Sequence, residues 1–130
     1  DQLNEKELKA LLKHLYLITP NTKEAIKLVN ISNEMEAAKV LSSYCYVLLK
    51  GGHSLIEQGT DKLYFEDKLI DFKASSGLFY SKHGSGCILS SAISANLALG
   101  CDLEKACEQA KLYIEKILNS NSKLLAYHVQ

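Results

Sequence analysis

Residues 44–52, Tyr44-Cys45-Tyr46-Val47-Leu48-Leu49-Lys50-Gly51-Gly52, decide the fold. A strand with one face in water alternates apolar and polar residues; this run is nearly continuous in apolar character, which suits a parallel strand buried on both faces. The glycine pair marks where it stops. Upstream, residues 15–19 read as a second short buried strand ending at Pro20, whose ring pushes Thr19 into an extended conformation. Two helices are predicted between them. One begins at Asn21, shows an apolar face in Ala25, Ile26, Leu28 and Val29, and ends at Asn30. The other is capped by Asn33 and runs through Ala37, Ala38, Val40 and Leu41. A helix over 4–14, opened by Asn4-x-x-Glu7, precedes both strands.

Downstream, residues 62–65 and 69–72 alternate around the polar turn Glu66-Asp67-Lys68, the pattern of a hairpin, which we expect outside the main sheet. A long helix over 85–99 ends at Gly100, and Asp102 caps a last helix over 103–118. This order of elements is that of an α/β protein: a mostly parallel sheet flanked by helices, with a small β-hairpin insertion. Two core strands make a thin parallel sheet, so further strands are expected upstream. The chain opens at Asp1 and its only methionine is Met35, which reads as a piece of something longer.

The 130 residues are 47% hydrophobic and carry 15 basic and 15 acidic side chains. The basic residues are scattered, so no nucleic-acid partner is expected. No apolar run approaches the length needed to cross a bilayer, and no leader opens the chain, so we expect no membrane partner and a cytoplasmic location. Cys45, Cys87, Cys101 and Cys107 show neither a CxxC pair nor metal-ligand spacing. Reduced thiols are expected, with Cys45, Cys101 and Cys107 buried.

Chemistry concentrates in three places. Gly84-Ser85-Gly86 delivers Cys87 to the start of an apolar helix. The free N–H groups of that first turn and the positive end of the helix dipole suit a phosphoryl group, and the glycines let backbone approach closely. Taken alone, the same pattern also describes a plain turn with a small buried cysteine behind it. The second place is Lys50-Gly51-Gly52-His53, a point charge at a strand end followed by flexible glycines. The third is Asn21-x-x-Glu24, either an ordinary helix start or a holder of hydrated Mg²⁺. In open α/β sheets ligands bind beyond the carboxyl ends of parallel strands, where these segments fall. His53 and His83 flank the glycine turns.

Thr19-Pro20-Asn21-x-x-Glu24, then Leu48-Leu49-Lys50-Gly51-Gly52-His53 with Asp61-x-Leu63, then His83-Gly84-Ser85-Gly86-Cys87 with Leu89-Ser90-x-Ala92-Ile93 occur in order. Together they resemble the hydroxymethylpyrimidine/phosphomethylpyrimidine kinases of thiamine biosynthesis, in the ribokinase-like superfamily. The resemblance runs from about Leu15 to about Ile117 and corresponds to the C-terminal half of such an enzyme. It implies ATP and Mg²⁺, a pyrimidine alcohol as substrate, Cys87 as catalytic residue, and an anion hole at Gly84, Ser85 and Gly86. It also implies phosphate and nucleotide contacts from Lys50, Gly51, Gly52 and Asn21, with Glu24 and Asn21 associated with the metal. Ser85 stands where the family more often has threonine; both offer a hydroxyl and an N–H. With three ordered segments, Cys87 reads as the acceptor of a substrate hydroxyl's proton rather than as a covalent nucleophile. The Gly-rich N-terminal part that forms most of the family's pyrimidine pocket has no counterpart here. Two alternatives are a pyridoxal kinase of the same superfamily and a non-catalytic domain whose sheet edge docks a second copy as a homodimer.

Overall fold

The strand predicted from residues 44–50 is present as β2 (Tyr46–Leu49), and Val47, Leu48 and Leu49 are all buried. Successive side chains point to opposite faces, so burial of three in a row requires cover on both sides of the sheet. The computed structural model describes residues 4–53, 59–75, 79–80 and 82–125. The chain divides into two compact units, Asp1–Lys73 and Ala74–Gln130.

In the first unit the order is α1 (Glu5–Leu12), β1 (Leu17–Ile18), α2 (Thr22–Val29), α3 (Glu34–Ser42) and β2, followed by a 3-10 turn at Gly51–His53. Then come β3 (Asp61–Phe65) and β4 (Lys68–Phe72). The sheet order is β1-β2-β3-β4. β1 and β2 are parallel, with Leu17 opposite Tyr46 and Ile18 opposite Val47. β3 is antiparallel to β2, with Leu48 opposite Leu63, and β4 is antiparallel to β3.

The hairpin is therefore part of the main sheet, against expectation, and among the described strands the sheet is mixed rather than mostly parallel. The physical reason lies in β3, where Asp61 and Leu63 are buried. Its alternating pattern supplies an apolar row that continues the β2 face. The turn itself is one residue shorter than the polar run suggested, because Lys68 already belongs to β4. Glu66 and Asp67 both have positive φ, 48° and 59°, the two-residue geometry whose twist matches that of the flanking strands. Lys62 and Asp71 pair across the two strands at 3.2 Å.

One face of this sheet packs on the three helices. Leu8, Leu12, Ala25, Ala37, Ala38, Leu41, Cys45, Val47 and Leu49 form one cluster, with Ile18, Ile26 and Tyr64 against its margin. The helix starts follow the sequence closely. Asn4 and Glu7 make a capping box at α1, and the Asn33 side chain accepts from the N–H groups of Met35 and Glu36 at α3. α2 ends at Asn30 in the left-handed conformation, φ 55°. Asparagine tolerates this better than other non-glycine residues.

The second unit holds α4 (Ser85–Ala98) and α5 (Leu103–Asn119), which pack along one another; Leu89 and Ile93 of α4 and Leu103, Ala106, Cys107, Ala110, Ile114 and Ile117 of α5 are buried. Gly100, φ 92°, closes α4, with Cys101 N–H donating to the Asn96 carbonyl at 3.1 Å. Asp102 caps α5 by accepting from Lys105 N–H at 2.8 Å. Cys45 and Cys107 are buried as expected, but Cys101 is only half-buried because it sits in the α4–α5 connection rather than on a helix face. Among the described residues no helix is long and apolar enough to cross a membrane.

Candidate active site

The carboxyl ends of β1 and β2 lie side by side. Asn21 and Lys50 form a parallel bridge just beyond the two strands, and Lys50 N–H donates to the Pro20 carbonyl at 2.9 Å. Two of the three segments singled out from the sequence thus share one strand-end ledge. Pro20 has no N–H to give the ladder, yet its carbonyl serves as the acceptor that fixes Lys50.

On that ledge Asn21 is the N-cap of α2. Its Oδ1 accepts from Glu24 N–H at 2.9 Å, and Glu24 Oε2 accepts from Asn21 N–H at 2.7 Å. This reciprocal capping box stabilises the helix by about 1 kcal/mol. The donor set fits a Mg²⁺ that keeps most of its waters, because one carboxylate oxygen of exposed Glu24 lies outside the box. Direct chelation by both side chains fits poorly, since Asn21 Oδ1 already serves the helix. Among the described residues no group of three or more His, Cys, Asp or Glu forms a cluster able to hold a metal ion.

Gly51 is fixed tightly. Its N–H donates to Asp61 Oδ1 at 2.8 Å, its carbonyl accepts from Gly59 N–H at 2.9 Å, and a Cβ added to it would lie 1.8 Å from the Thr60 carbonyl oxygen. Glycine is required here by close backbone approach. Gly52, by contrast, is exposed and has open space where a Cβ would go. Asp61 stands among the ordered motifs, but its structural role is not legible along the chain. Buried at the start of β3, it ties the glycine turn after β2 to the next strand. The available signal was an acidic residue opening an otherwise amphipathic strand.

In the second unit, α4 starts differently from every other described helix. Asn4, Asn21, Asn33 and Asp102 cap α1, α2, α3 and α5 through their side chains, whereas the N-cap of α4 is Gly84, φ 75° and ψ 9°, with no side-chain cap hydrogen bond. The Gly84 carbonyl accepts from Ile88 N–H at 3.0 Å, so intrahelical bonding begins there. The N–H groups of Ser85, Gly86 and Cys87 are then those that helix geometry leaves without an intrahelical acceptor. Cys87 is exposed and Ser85 and Gly86 are half-buried. Left-handed Gly84 turns the incoming chain aside, and open space surrounds the place of its missing Cβ. Such an end, polarised positively and with neither a side-chain cap nor an acidic residue in its first turn, can receive an oxyanion. His83 is exposed beside it, and the side chain of His53 lies outside the described residues.

Solved structures that resemble this chain give it a ribokinase-like α/β fold. Bacillus subtilis pyridoxal kinase, solved as an ADP complex, matches 95% of this chain and 54% of its own at a TM-score of 0.80 and 27% identity. Thermotoga maritima ribokinase matches 91% of the chain at a TM-score of 0.76 and 18% identity, a likeness of fold. Within that class, the phosphomethylpyrimidine kinase family matches residues 1–130, and the chain belongs to that family. Relatives include the thiamine biosynthesis bifunctional protein ThiED of Geobacter sulfurreducens, 42% identical over 106 residues. That match covers 76% of this chain and 22% of the relative. The hydroxymethylpyrimidine/phosphomethylpyrimidine kinase of Aquifex aeolicus is 35% identical over 120 residues, 87% of this chain and 47% of the relative. The chain thus spans about half, or less, of the length of these relatives.

Proposed function

We propose that the protein carrying this chain transfers the γ-phosphoryl group of ATP to the hydroxymethyl group of hydroxymethylpyrimidine, and then phosphorylates that monophosphate. Residues 1–130 are its phosphate-handling half, and the part presenting the pyrimidine lies elsewhere. The observation that carries the reading is the start of α4: the one described helix whose N-cap makes no side-chain cap bond is also the one with a thiol in its first turn. In this reading the N–H groups of Ser85, Gly86 and Cys87 stabilise charge on the transferring phosphoryl oxygens. Cys87 Sγ accepts the proton as the substrate oxygen bonds to phosphorus and the bond to the departing ADP breaks. Lys50 neutralises nucleotide phosphate charge, Gly51 and Gly52 give it a ledge open to the nucleotide, and Asn21 with Glu24 holds the waters of Mg²⁺. The metal supplies charge neutralisation on the phosphates when bound. Four free cysteines suit a reducing, cytoplasmic setting.

Two measurements test this. Calorimetric titration of the 130-residue chain with Mg-ATP should show binding while a phosphorylation assay with hydroxymethylpyrimidine shows none; robust turnover by the chain alone overturns the half-site reading. In a form that turns over, Cys87→Ala should lower kcat by about 10²–10⁴-fold, the ordinary worth of a positioned proton acceptor. Unchanged turnover removes Cys87 from the chemistry.

A second reading, pyridoxal as the acceptor, is favoured by the match to Bacillus subtilis pyridoxal kinase. Side-by-side turnover of the two alcohols decides it, because a pocket built to hydrogen-bond one rejects the other.

A further inference from the structure

The strongest group outside that chemistry is Lys82, two residues before Gly84. It is 5% exposed. A lysine this buried must have its ammonium satisfied, and it has three N–H donors to place. Its Nζ donates to the Asn121 carbonyl, to Asn121 Oδ1 at 3.1 Å and to the Lys123 carbonyl at 2.5 Å. It also stands 5.7 Å from the centre of the Tyr80 ring, within reach of a cation–π contact. The acceptors all come from the segment that follows α5.

That segment is shaped around the ammonium. Asn121 Oδ1 also accepts from Lys123 N–H at 2.7 Å, and Asn121 Nδ2 donates to the Leu125 carbonyl at 3.1 Å. Backbone bonds lie on either side. Tyr80 N–H donates to the Leu118 carbonyl at 3.1 Å, and His83 N–H to the Leu124 carbonyl at 3.0 Å. The chain entering the Gly84 turn is therefore held by residues 118–124 at Tyr80, Lys82 and His83.

Among the described residues the turn has little else to hold it. α4 lacks a side-chain cap, Gly84 has no atoms within 4 Å of where a Cβ would be, and Cys87 is exposed. We propose that Lys82 is a positioning residue: its ammonium latches the segment after α5 onto the approach to Gly84 and so sets the direction of the N–H groups of Ser85, Gly86 and Cys87. This rests on the reading of that turn as an anion site. Nothing in the resemblance or in the spacing of the glycines assigned Lys82 a role.

The test uses the 130-residue chain with Lys82→Met, Lys82→Arg and Asn121→Ala, and two readouts. Amide exchange reports the latch: Lys82→Met should speed exchange at Tyr80 and His83 at least tenfold while Ile93 and Ile114 keep their protection. Lys82→Arg, which retains charge and donors, should recover part of that protection. Asn121→Ala, which leaves Lys82 in place and removes one acceptor, should give about a threefold change and carries the test if Lys82→Met does not fold. Protection of Cys87 from iodoacetamide by inorganic phosphate reports the turn. Lys82→Met should raise the phosphate concentration for half-protection at least fivefold. Unchanged exchange at Tyr80 and His83 overturns the latch, and faster exchange with unchanged phosphate protection overturns the positioning role. If phosphate fails to protect Cys87 in the unaltered chain, the anion-site reading and the positioning role fall together, while exchange still decides whether the latch exists.

Discussion

The ledge at the ends of β1 and β2 and the turn before α4 are both suited to phosphate, and they are built in opposite ways. At the ledge the groups that shape it are paired with one another: Asn21 and Glu24 cap each other, Lys50 N–H is taken by Pro20, and Gly51 is held by Asp61 and Gly59. At the turn Gly84 supplies no cap, and the residues after it are exposed or half-buried. The ledge spends its hydrogen-bonding capacity on its own shape. At the turn the N–H groups of Ser85, Gly86 and Cys87 have no side-chain cap and, by helix geometry, no intrahelical acceptor. A closed set of partners makes a platform, and an open one makes a site where charge developing on a phosphoryl group can be met.

This contrast is open to direct challenge. The largest effect is expected at the ledge with Gly51→Ala, whose methyl group would fall 1.8 Å from the Thr60 carbonyl oxygen. We expect a loss of about 3 kcal/mol or more in urea denaturation, at the top of the overpacking range, because the obstacle is backbone and cannot turn away. A loss below about 1 kcal/mol would mean that the ledge yields and is not a platform.

A paired comparison sharpens the point. Asn21→Ala breaks the capping box of α2 and should cost about 1 kcal/mol. Ser85→Ala, at a helix start with no side-chain cap to lose, should change stability by less than about 0.5 kcal/mol. Equal losses in thermal melts of the two variants would erase the difference between the two starts.

The smallest effect concerns pH. Burial pushes the Cys45 thiol above the ordinary cysteine range. The folded state thus holds this proton when the unfolded chain has begun to lose it, so stability falls as pH rises above about 8.5, the unfolded value, and levels off past the folded one. Cys45→Ala should flatten that decline, read as the urea midpoint between pH 8 and pH 10.

Much of the first unit was legible because its signals are local. Asn4, Asn21 and Asn33 are caps whose partners lie two or three residues away, and a continuous apolar strand followed by two glycines needs only its own neighbours to be read. The hairpin was misplaced because alternation in residues 62–72 says that these are strands and not which strand they join. The pairing of Leu48 with Leu63 decides that across a connection, and the connection carries no pattern. The pairing of Asp61 escaped for the same reason, since its partner Gly51 is ten positions away.

By itself the sequence determined the helices, the strand ends, the family and the candidate residues Lys50, Asn21, Glu24 and Gly84 to Cys87, because capping, glycine punctuation and motif order are properties of neighbours along the chain. Only the tertiary structure decided that β3 joins β2, that Asn21 and Lys50 stand side by side, and that a buried lysine ties residues 118–124 to the entrance of α4. An isolated lysine in a sequence reads as a solvated charge. It becomes something else when folding removes its water and leaves three oxygen atoms, far along the chain, to take the water's place.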